Sequence, residues 1–411
     1  MKKAMKDLKI EKLIRREVKR QEESLDLIAS ENFASTDVLK ALGSPLQNKY
    51  SEGYPYKRYY PGNIYYDKIE TIAQERALKL FGLNPKEWSV NVQPYSGSPA
   101  NLAVYTGLVA PGETIMGMKL ASGGHLTHGH KVSATGKFWK SVQYGVDETT
   151  GLINYEEVQR LAEEHRPKII VSGFTAYPRR IEFQKFGAIA KSVGAYHLSD
   201  ISHIAGLVAS GVHPSPFPYA DVVMTTTHKT LRGPRGAIIF SRIEISEAID
   251  RAVFPGLQGG PHNNVTAAKA VAFLEASKPD FKKYSHQIVR NAKALAAALK
   301  THGFKLVSDG TDNHLLLIDM RSINLNGLDA EHLLEEVNII ANRNSVPGDP
   351  SPFKPSGVRI GTPALTSRGM KEKEMAILAG LIHSAVTKKP GVKKEVLKLC
   401  RKFPAKKFLK F

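Results

Sequence analysis

The chain has 411 residues, 42% of them hydrophobic and 24% charged, with a formal net charge of +19 and a single cysteine, Cys400. That length suggests two or three domains sharing a core, and that composition belongs to a folded globular protein, not to a fibre or a disordered tail. One cysteine excludes an intrachain disulfide and a cysteine-based zinc site, and no apolar run approaches the roughly 20 residues a membrane helix needs.

Residues 1–20 hold nine basic and three acidic residues. Ile10, Leu13, Ile14 and Val18 fall at helical spacing and predict an amphipathic helix over about 7–24. Its apolar stripe needs something to pack on, and a second subunit is one candidate. No apolar stretch follows the basic start, so no secretory leader is expected. Asp7, Glu11 and Glu17, with no serine in the first 20 residues, argue against a mitochondrial presequence, which leaves the cytoplasm as the expected compartment. From about 65 to 260, helical patterns (67–80, 98–108, 155–165, 183–193, 243–252) alternate with short apolar runs (114–118, 168–174, 195–199, 221–225, 236–241). Several of these runs are apolar on both parities, as in strands buried on two faces. The alternation predicts an α/β fold, a mostly parallel sheet wrapped by helices, with ligands bound beyond the carboxyl ends of the strands. Past Pro261 the pattern predicts one long helix over about 265–301, short strands at 315–319 and 339–342, and helices at 327–337 and 371–387. This reads as a smaller α+β domain. The expected division is a helical arm over 1–44, a large domain over 45–264 and a small domain over 265–411.

Residues 388–411 hold ten basic residues and one acidic residue. The two ends together supply 15 of the 19 net positive charges. They read as solvated basic ends. Nucleic acid is not the expected partner, because no basic patch interleaved with aromatics is visible.

The segment with the most chemistry is Thr225-Thr226-Thr227-His228-Lys229-Thr230-Leu231-Arg232-Gly233-Pro234-Arg235. It follows the apolar strand 222–224. Scarce water at such a place disfavours an ammonium and lowers the lysine pKa, which yields the nucleophilic amine a Schiff base needs. Ser96-Gly97-Ser98 opens the helical pattern of 98–108, where free backbone N–H groups suit an anion but also suit an ordinary cap. Asp200 ends the strand pattern 195–199, and His203 follows three residues later.

These segments resemble the serine hydroxymethyltransferase family, whose fold is the aspartate-aminotransferase-like fold of pyridoxal-phosphate enzymes (fold type I). THKTLRGPR matches that family's lysine motif. The resemblance continues through LIASEN (27–32), KYSEGYPYKRYYPG (49–62), NVQPYSGSPAN (91–101), GGHLTHG (123–129), SDISHIAGLV (199–208), FPGLQGGPH (254–262), NRNSVPGDPSPF (342–353) and GVRIGTPALTSRG (357–369), and so covers nearly the whole chain. It implies reversible transfer of the serine hydroxymethyl carbon to tetrahydrofolate through a Lys229 Schiff base with pyridoxal phosphate, with folate-independent aldol cleavage of β-hydroxy amino acids as a side activity.

The roles it implies are specific. Ser96, Gly97, Ser98 and His228 lie about the cofactor phosphate, with Gly259 and Gly260 closing on it from a neighbouring subunit. Asp200 keeps the pyridine nitrogen protonated, His203 faces the phenolic oxygen side, the Thr175 hydroxyl contacts the cofactor, and His125 stacks on the ring, while His128 reads as structural. Arg359 pairs with the substrate carboxylate, a fit for a planar guanidinium. Ser30 contacts substrate from the arm. Tyr50, Glu52 and Tyr60 lie near the substrate hydroxymethyl group, Tyr50 and Glu52 coming from the partner chain of a homodimer or tetramer, with Glu52 as the proton donor and acceptor. Leu120, Gly124, His125, Leu126, Asn344, Ser351, Pro352 and Phe353 correspond to the folate pocket. No metal is implied. Departures are Thr175 for serine, a 348–351 loop one residue shorter than in some members, and Tyr56 and Pro61 for glycines common in bacterial members. The basic segment 406–411 has no role in the family pattern. A folate-free threonine-type aldolase would not need Glu52 and the 342–353 loop. A nucleic-acid-binding protein on a retired enzyme scaffold would not need Lys229, Asp200 and Arg359 intact.

Overall fold

Seven strands between residues 88 and 242 pair into one sheet. The structure, a computed structural model, describes residues 5–351 and 354–409. The strands are Trp88–Asn91 (β1), Thr114–Met118 (β2), Lys140–Tyr144 (β3), Ile169–Gly173 (β4), Tyr196–Asp200 (β5), Val222–Thr226 (β6) and Ala237–Arg242 (β7). Their order across the sheet is β1-β7-β6-β5-β4-β2-β3. Neighbours from β6 to β3 are parallel, and only β7 runs against both of its neighbours. Every residue of β4 and β6 is buried, as expected of parallel strands covered by helices on both faces. The helices Tyr155–His165 and Phe183–Val193 fall where their periodicity predicts. Asn154 caps the first through the amides of Glu156 and Glu157, and Gly194 in the left-handed region ends the second.

This topology brings the carboxyl ends of four parallel strands together. β2 leads into 119–128, β4 into Phe174–Thr175, β5 ends on Asp200, and β6 leads directly into His228–Lys229. The candidate residues therefore gather at one edge of the sheet.

The carboxyl half differs from expectation in three places. The helix expected over 265–301 is two helices, Asn263–Ala276 and Pro279–Thr301. Pro279 has no N–H to continue a helix and starts the second one instead, after an extended Lys278. The strand expected at 339–342 divides. Ile339–Ile340 pairs in parallel with Leu25–Asp26 of the arm, whereas Asn342–Asn344 joins a second sheet. That sheet contains Lys305–Leu306 (β8), Leu315–Asp319 (β9), Asn342–Asn344 (β10) and Gly357–Gly361 (β11), antiparallel in the order β8-β9-β11-β10. Finally, the end read as solvated charge holds a helix, Val392–Lys402, that buries Val392, Val396, Leu399 and Cys400. Their spacing puts one apolar face on the core while the lysines point outward.

The first helix, Leu8–Glu22, is capped by Asp7. Leu8, Ile10 and Leu13 on its stripe are exposed. Among the described residues, no helix is long and apolar enough to cross a membrane.

Candidate active site

Lys229 lies in a loop fixed from both sides. Thr227 donates its hydroxyl to the Pro234 carbonyl (2.6 Å), and Thr230 donates to the His203 carbonyl (2.9 Å). Asn32, from the arm, donates to the Lys229 carbonyl itself at 3.0 Å. The side-chain amine has no hydrogen bond or ion pair among the described residues. Burial pulls its pKa down to about 8, against the attraction of Asp200 and with help from Arg359 and Arg235. A substantial fraction of such an amine is uncharged, hence nucleophilic, near neutral pH.

Asp200 is buried at the end of β5. Burial disfavours its charge, yet hydrogen bonds outweigh this and hold the carboxyl well below the usual range. Oδ2 accepts from His128 Nε2 and from Asn101 Nδ2, both at 3.0 Å, and Oδ1 accepts from the Ser202 amide at 3.1 Å. The His125 amide donates to His128 Nδ1 at 3.2 Å, which assigns the proton on His128 to Nε2, facing Asp200. His128, read from the sequence as structural, holds the Asp200 carboxylate. Asn101 also donates to Thr127 Oγ1 (2.8 Å), and Thr127 Oγ1 lies 2.7 Å from His125 Nδ1. One network therefore fixes His125 and Asp200 together. Burial, then His128, lowers the His125 pKa to about 4, so its ring is uncharged.

Ser96 is extended and precedes the twelve-residue helix Gly97–Leu108. A Cβ added to Gly97 would lie 2.8 Å from Thr226 Cγ2, so glycine is required where the helix start meets β6. Beside this start, the buried Thr226 Oγ1 has no hydrogen-bond partner, nor has His228 Nδ1. Burial lowers the His228 pKa to about 3, and its Nε2 faces Arg235 at 3.3 Å. His228 and Arg235 line a cavity shared with Ser30, Glu31 and Asn32 of the arm.

On the other side, Arg359 of β11 donates from Nη1 to the Thr175 carbonyl (2.7 Å) and from Nε and Nη2 to Asn342 Oδ1 (3.1 and 3.0 Å). Burial lowers its pKa to about 10, so it stays charged. The Thr175 hydroxyl donates to the Gly124 carbonyl at 2.9 Å, which leaves only its lone pairs for a cofactor. Gly124, Leu120 and Leu126 lie in the same loop as His125. Asn344 is two residues beyond Asn342 on β10. Ser351 is half-buried, and Pro352 and Phe353 lie outside the described residues. His203 is buried with Nδ1 3.2 Å from His314 Nε2, and burial keeps both rings uncharged. Nothing near His314 in the sequence marks it as a partner of His203.

A separate cluster carries the remaining candidates. The Tyr50 and Tyr60 rings meet edge to face at 5.6 Å, and both tyrosines are exposed. A Cβ on Gly259 would stand 3.2 Å from Glu52 Oε1, and one on Gly260 would stand 3.3 Å from the Tyr50 ring. Arg58 donates to the carbonyls of Ser51 and Gly53, on either side of Glu52, and is itself paired with Asp67 and Glu70. Among the described residues, none of Tyr50, Glu52 and Tyr60 hydrogen-bonds Lys229, Asp200 or Arg359.

The lysine, acid and arginine clusters match a group with a phosphate, an aldehyde and a protonated ring nitrogen. Two orphaned polar atoms and a helix start would take the phosphate, an amine without partners would meet the aldehyde, and an ionised aspartate would accept from the ring. A family model described as serine hydroxymethyltransferase matches residues 3–382 of the chain.

Proposed function

The chain belongs to the serine hydroxymethyltransferase family, a family of pyridoxal-phosphate-dependent enzymes of fold type I that interconvert serine and glycine with tetrahydrofolate as co-substrate, and from that premise we propose how its own residues share the work. The reading rests above all on the Lys229 amine, without partners and depressed in pKa, between an ionised Asp200 and a charged Arg359.

When bound, pyridoxal phosphate supplies an aldehyde that condenses with amines and a ring that takes up the electron pair released at the substrate α-carbon. Lys229 provides the resident amine. Ser96, Gly97, Ser98, Thr226 and His228 receive the phosphate, with Gly259 and Gly260 of a second copy. Asp200, held ionised by His128 and Asn101, keeps a proton on the ring nitrogen. His125 covers one ring face, His203 faces the phenolic oxygen, and the Thr175 hydroxyl contacts the cofactor. Arg359 holds the serine carboxylate through two parallel hydrogen bonds, and Ser30 closes on the substrate from the arm. Glu52 of a second copy moves the proton of the serine hydroxyl oxygen, with Tyr50 and Tyr60 beside it. Leu120, Gly124, Leu126, Asn344, Ser351, Pro352 and Phe353 form the folate pocket, and 5,10-methylenetetrahydrofolate leaves with glycine. Without folate the same groups cleave other β-hydroxy amino acids. The exposed Tyr50 and Tyr60 and the half-buried Glu52, with Tyr50 and Glu52 against the Gly259-Gly260 turn, support a homodimer that shares its sites. The division at 44 and 264 into arm, large and small domains is part of the same proposal.

Borohydride reduction of the cofactor-loaded protein, followed by peptide mapping, tests the assignment. The label should sit on the peptide containing Lys229 and vanish in Lys229→Ala. A label on another lysine, or normal transfer by Lys229→Ala, would refute it.

A further inference from the structure

Residues 403–409 lie outside the part of the chain that the family model covers, yet they pack against the arm that serves the site. Phe408 stacks on Phe33 with ring centroids 5.4 Å apart and planes inclined by 13°. Ala405 and Ala364 are buried beneath the pair, and Leu409 packs beside it. The next residue along the arm, Asn32, is a junction. Its Oδ1 accepts from the Phe33 amide (2.9 Å) and from the Ser367 hydroxyl (2.7 Å). Its Nδ2 donates to the Tyr284 hydroxyl (2.7 Å) and to the Lys229 carbonyl (3.0 Å). Ser30, Asn32 and Phe33 all line the cavity that His228 and Arg235 share. A second tie joins the same two segments lower down. Buried Arg368 donates to the carbonyls of Glu22 (3.2 Å) and Ser24 (2.6 Å) at the foot of the arm, and to those of Cys400 (3.0 Å) and Phe403 (2.6 Å) at the start of the tail.

We propose that Phe408 is a positioning residue for the reaction: stacked on Phe33, it holds the 28–33 segment in place, so that Asn32 keeps the Lys229 loop and Ser30 keeps its place beside the substrate. Arg368 fixes the root of the tail, and the aromatic stack fixes its tip. The basic segment that the family pattern leaves without a role thereby acquires one: Lys406 and Lys407 are exposed, Lys407 Nζ lies over the Phe408 ring at 4.8 Å from its centroid, and the ring carries the contact with the arm. The substrate arm of this argument rests on the reading of Ser30 given above; the Asn32 junction does not.

The test uses the full chain loaded with cofactor, as Phe408→Ala and Phe408→Tyr. Hydrogen–deuterium exchange of peptides covering 28–34 reads the arm directly, and steady-state kinetics read the site. In Phe408→Ala the arm amides should exchange roughly tenfold faster, the size expected on removing an aromatic stack. KM for serine should rise several-fold with kcat within a factor of two, and Phe408→Tyr should restore both. Unchanged arm exchange in Phe408→Ala overturns the proposal. Where Ser30→Ala raises KM, faster exchange with unchanged KM in Phe408→Ala overturns it as well, because the stack would then secure the arm without positioning anything for the reaction. Ser30→Ala serves as the separate control: an unchanged KM there removes the Ser30 assignment, while arm exchange still decides the role of Phe408.

Discussion

The hydrogen bond from His128 to Asp200 should be worth a measurable part of the stability of the protein without cofactor. His128→Phe keeps a ring of similar size but removes the Nε2 donor 3.0 Å from Asp200 Oδ2. A hydrogen bond to a charged group contributes about 1.5–3 kcal/mol, equivalent to about one to two pKa units on the carboxyl. Asp200 retains Asn101 and the Ser202 amide, so it remains ionised at neutral pH and its loss is confined to this one bond. The assay is a double-mutant cycle by urea unfolding: His128→Phe, Asp200→Asn and the pair, at pH 7. The coupling energy should be about 1.5–3 kcal/mol, and His128→Gln, whose amide can donate from a similar place, should recover most of it. The sign of the pH dependence follows from the depressed pKa of Asp200 in the folded state. Its stabilisation is present above the unfolded value of about 3.9 and is lost as pH falls through the folded value, so the carboxylate's share of the coupling should be lost only on strong acidification. A coupling below about 0.5 kcal/mol at pH 7 would refute the argument, because it would leave Asp200 ionised without help from His128.

Two further outcomes can be checked in the same laboratory. The rate at which cofactor-free protein takes up pyridoxal phosphate should climb about tenfold per pH unit and level off near pH 8, where the Lys229 amine loses its charge; a rise continuing towards the ordinary lysine value of 10.5 would contradict the burial argument. Tyr56 sits in the left-handed region with φ 62° and an exposed side chain, at a position where the family pattern often has glycine. Tyr56→Gly should therefore raise unfolding stability by about 0.5–1 kcal/mol in urea titrations, and a destabilised variant would show that the ring makes a contact worth more than the strain.

Strands and helices were legible where one physical signal dominated. Thr114–Met118, Leu315–Asp319, Tyr155–His165 and Phe183–Val193 have the bounds their apolar patterns indicate. The edge strand Lys140–Tyr144 escaped because it is polar and half exposed, and Gly357–Gly361 because a glycine stands at each end of a short run. The split at Ser277–Lys278 escaped because apolar residues continue at helical spacing across it, so periodicity outvoted Pro279. At the site, motif positions named the groups proposed to meet a ligand. The groups that hold those groups in place were not legible. His128 and Asp200 are 72 residues apart, Arg359 and Thr175 184, and Asn32 and Lys229 197, and no local pattern records such pairs. Lys269 is the extreme case. It is a fully buried lysine whose three ammonium hydrogens match the carbonyls of Val92, Pro94 and Ala237, and in the sequence it is one basic residue in an alanine-rich helix.

The charge balance of the site explains why so much structure is spent on holding it. Burial strips the charge from His125, His203, His228 and His314, because four uncompensated imidazolium ions cannot be kept from water. Arg359 stays charged, the Lys229 pKa is pulled down to about 8, and Asp200 is kept firmly negative. Thr226 Oγ1 and His228 Nδ1 are buried without a hydrogen-bond partner. The phosphate and carboxylate groups of the proposed ligands would give these groups partners. Ligand binding and folding are then linked: whatever binds the folded site alone stabilises it in proportion to the logarithm of its concentration over Kd. The cross-fold ties of Asn32, His128, Asn342 and Arg368 hold the proposed site in place, so they belong to its design even though none of them reaches a reacting atom.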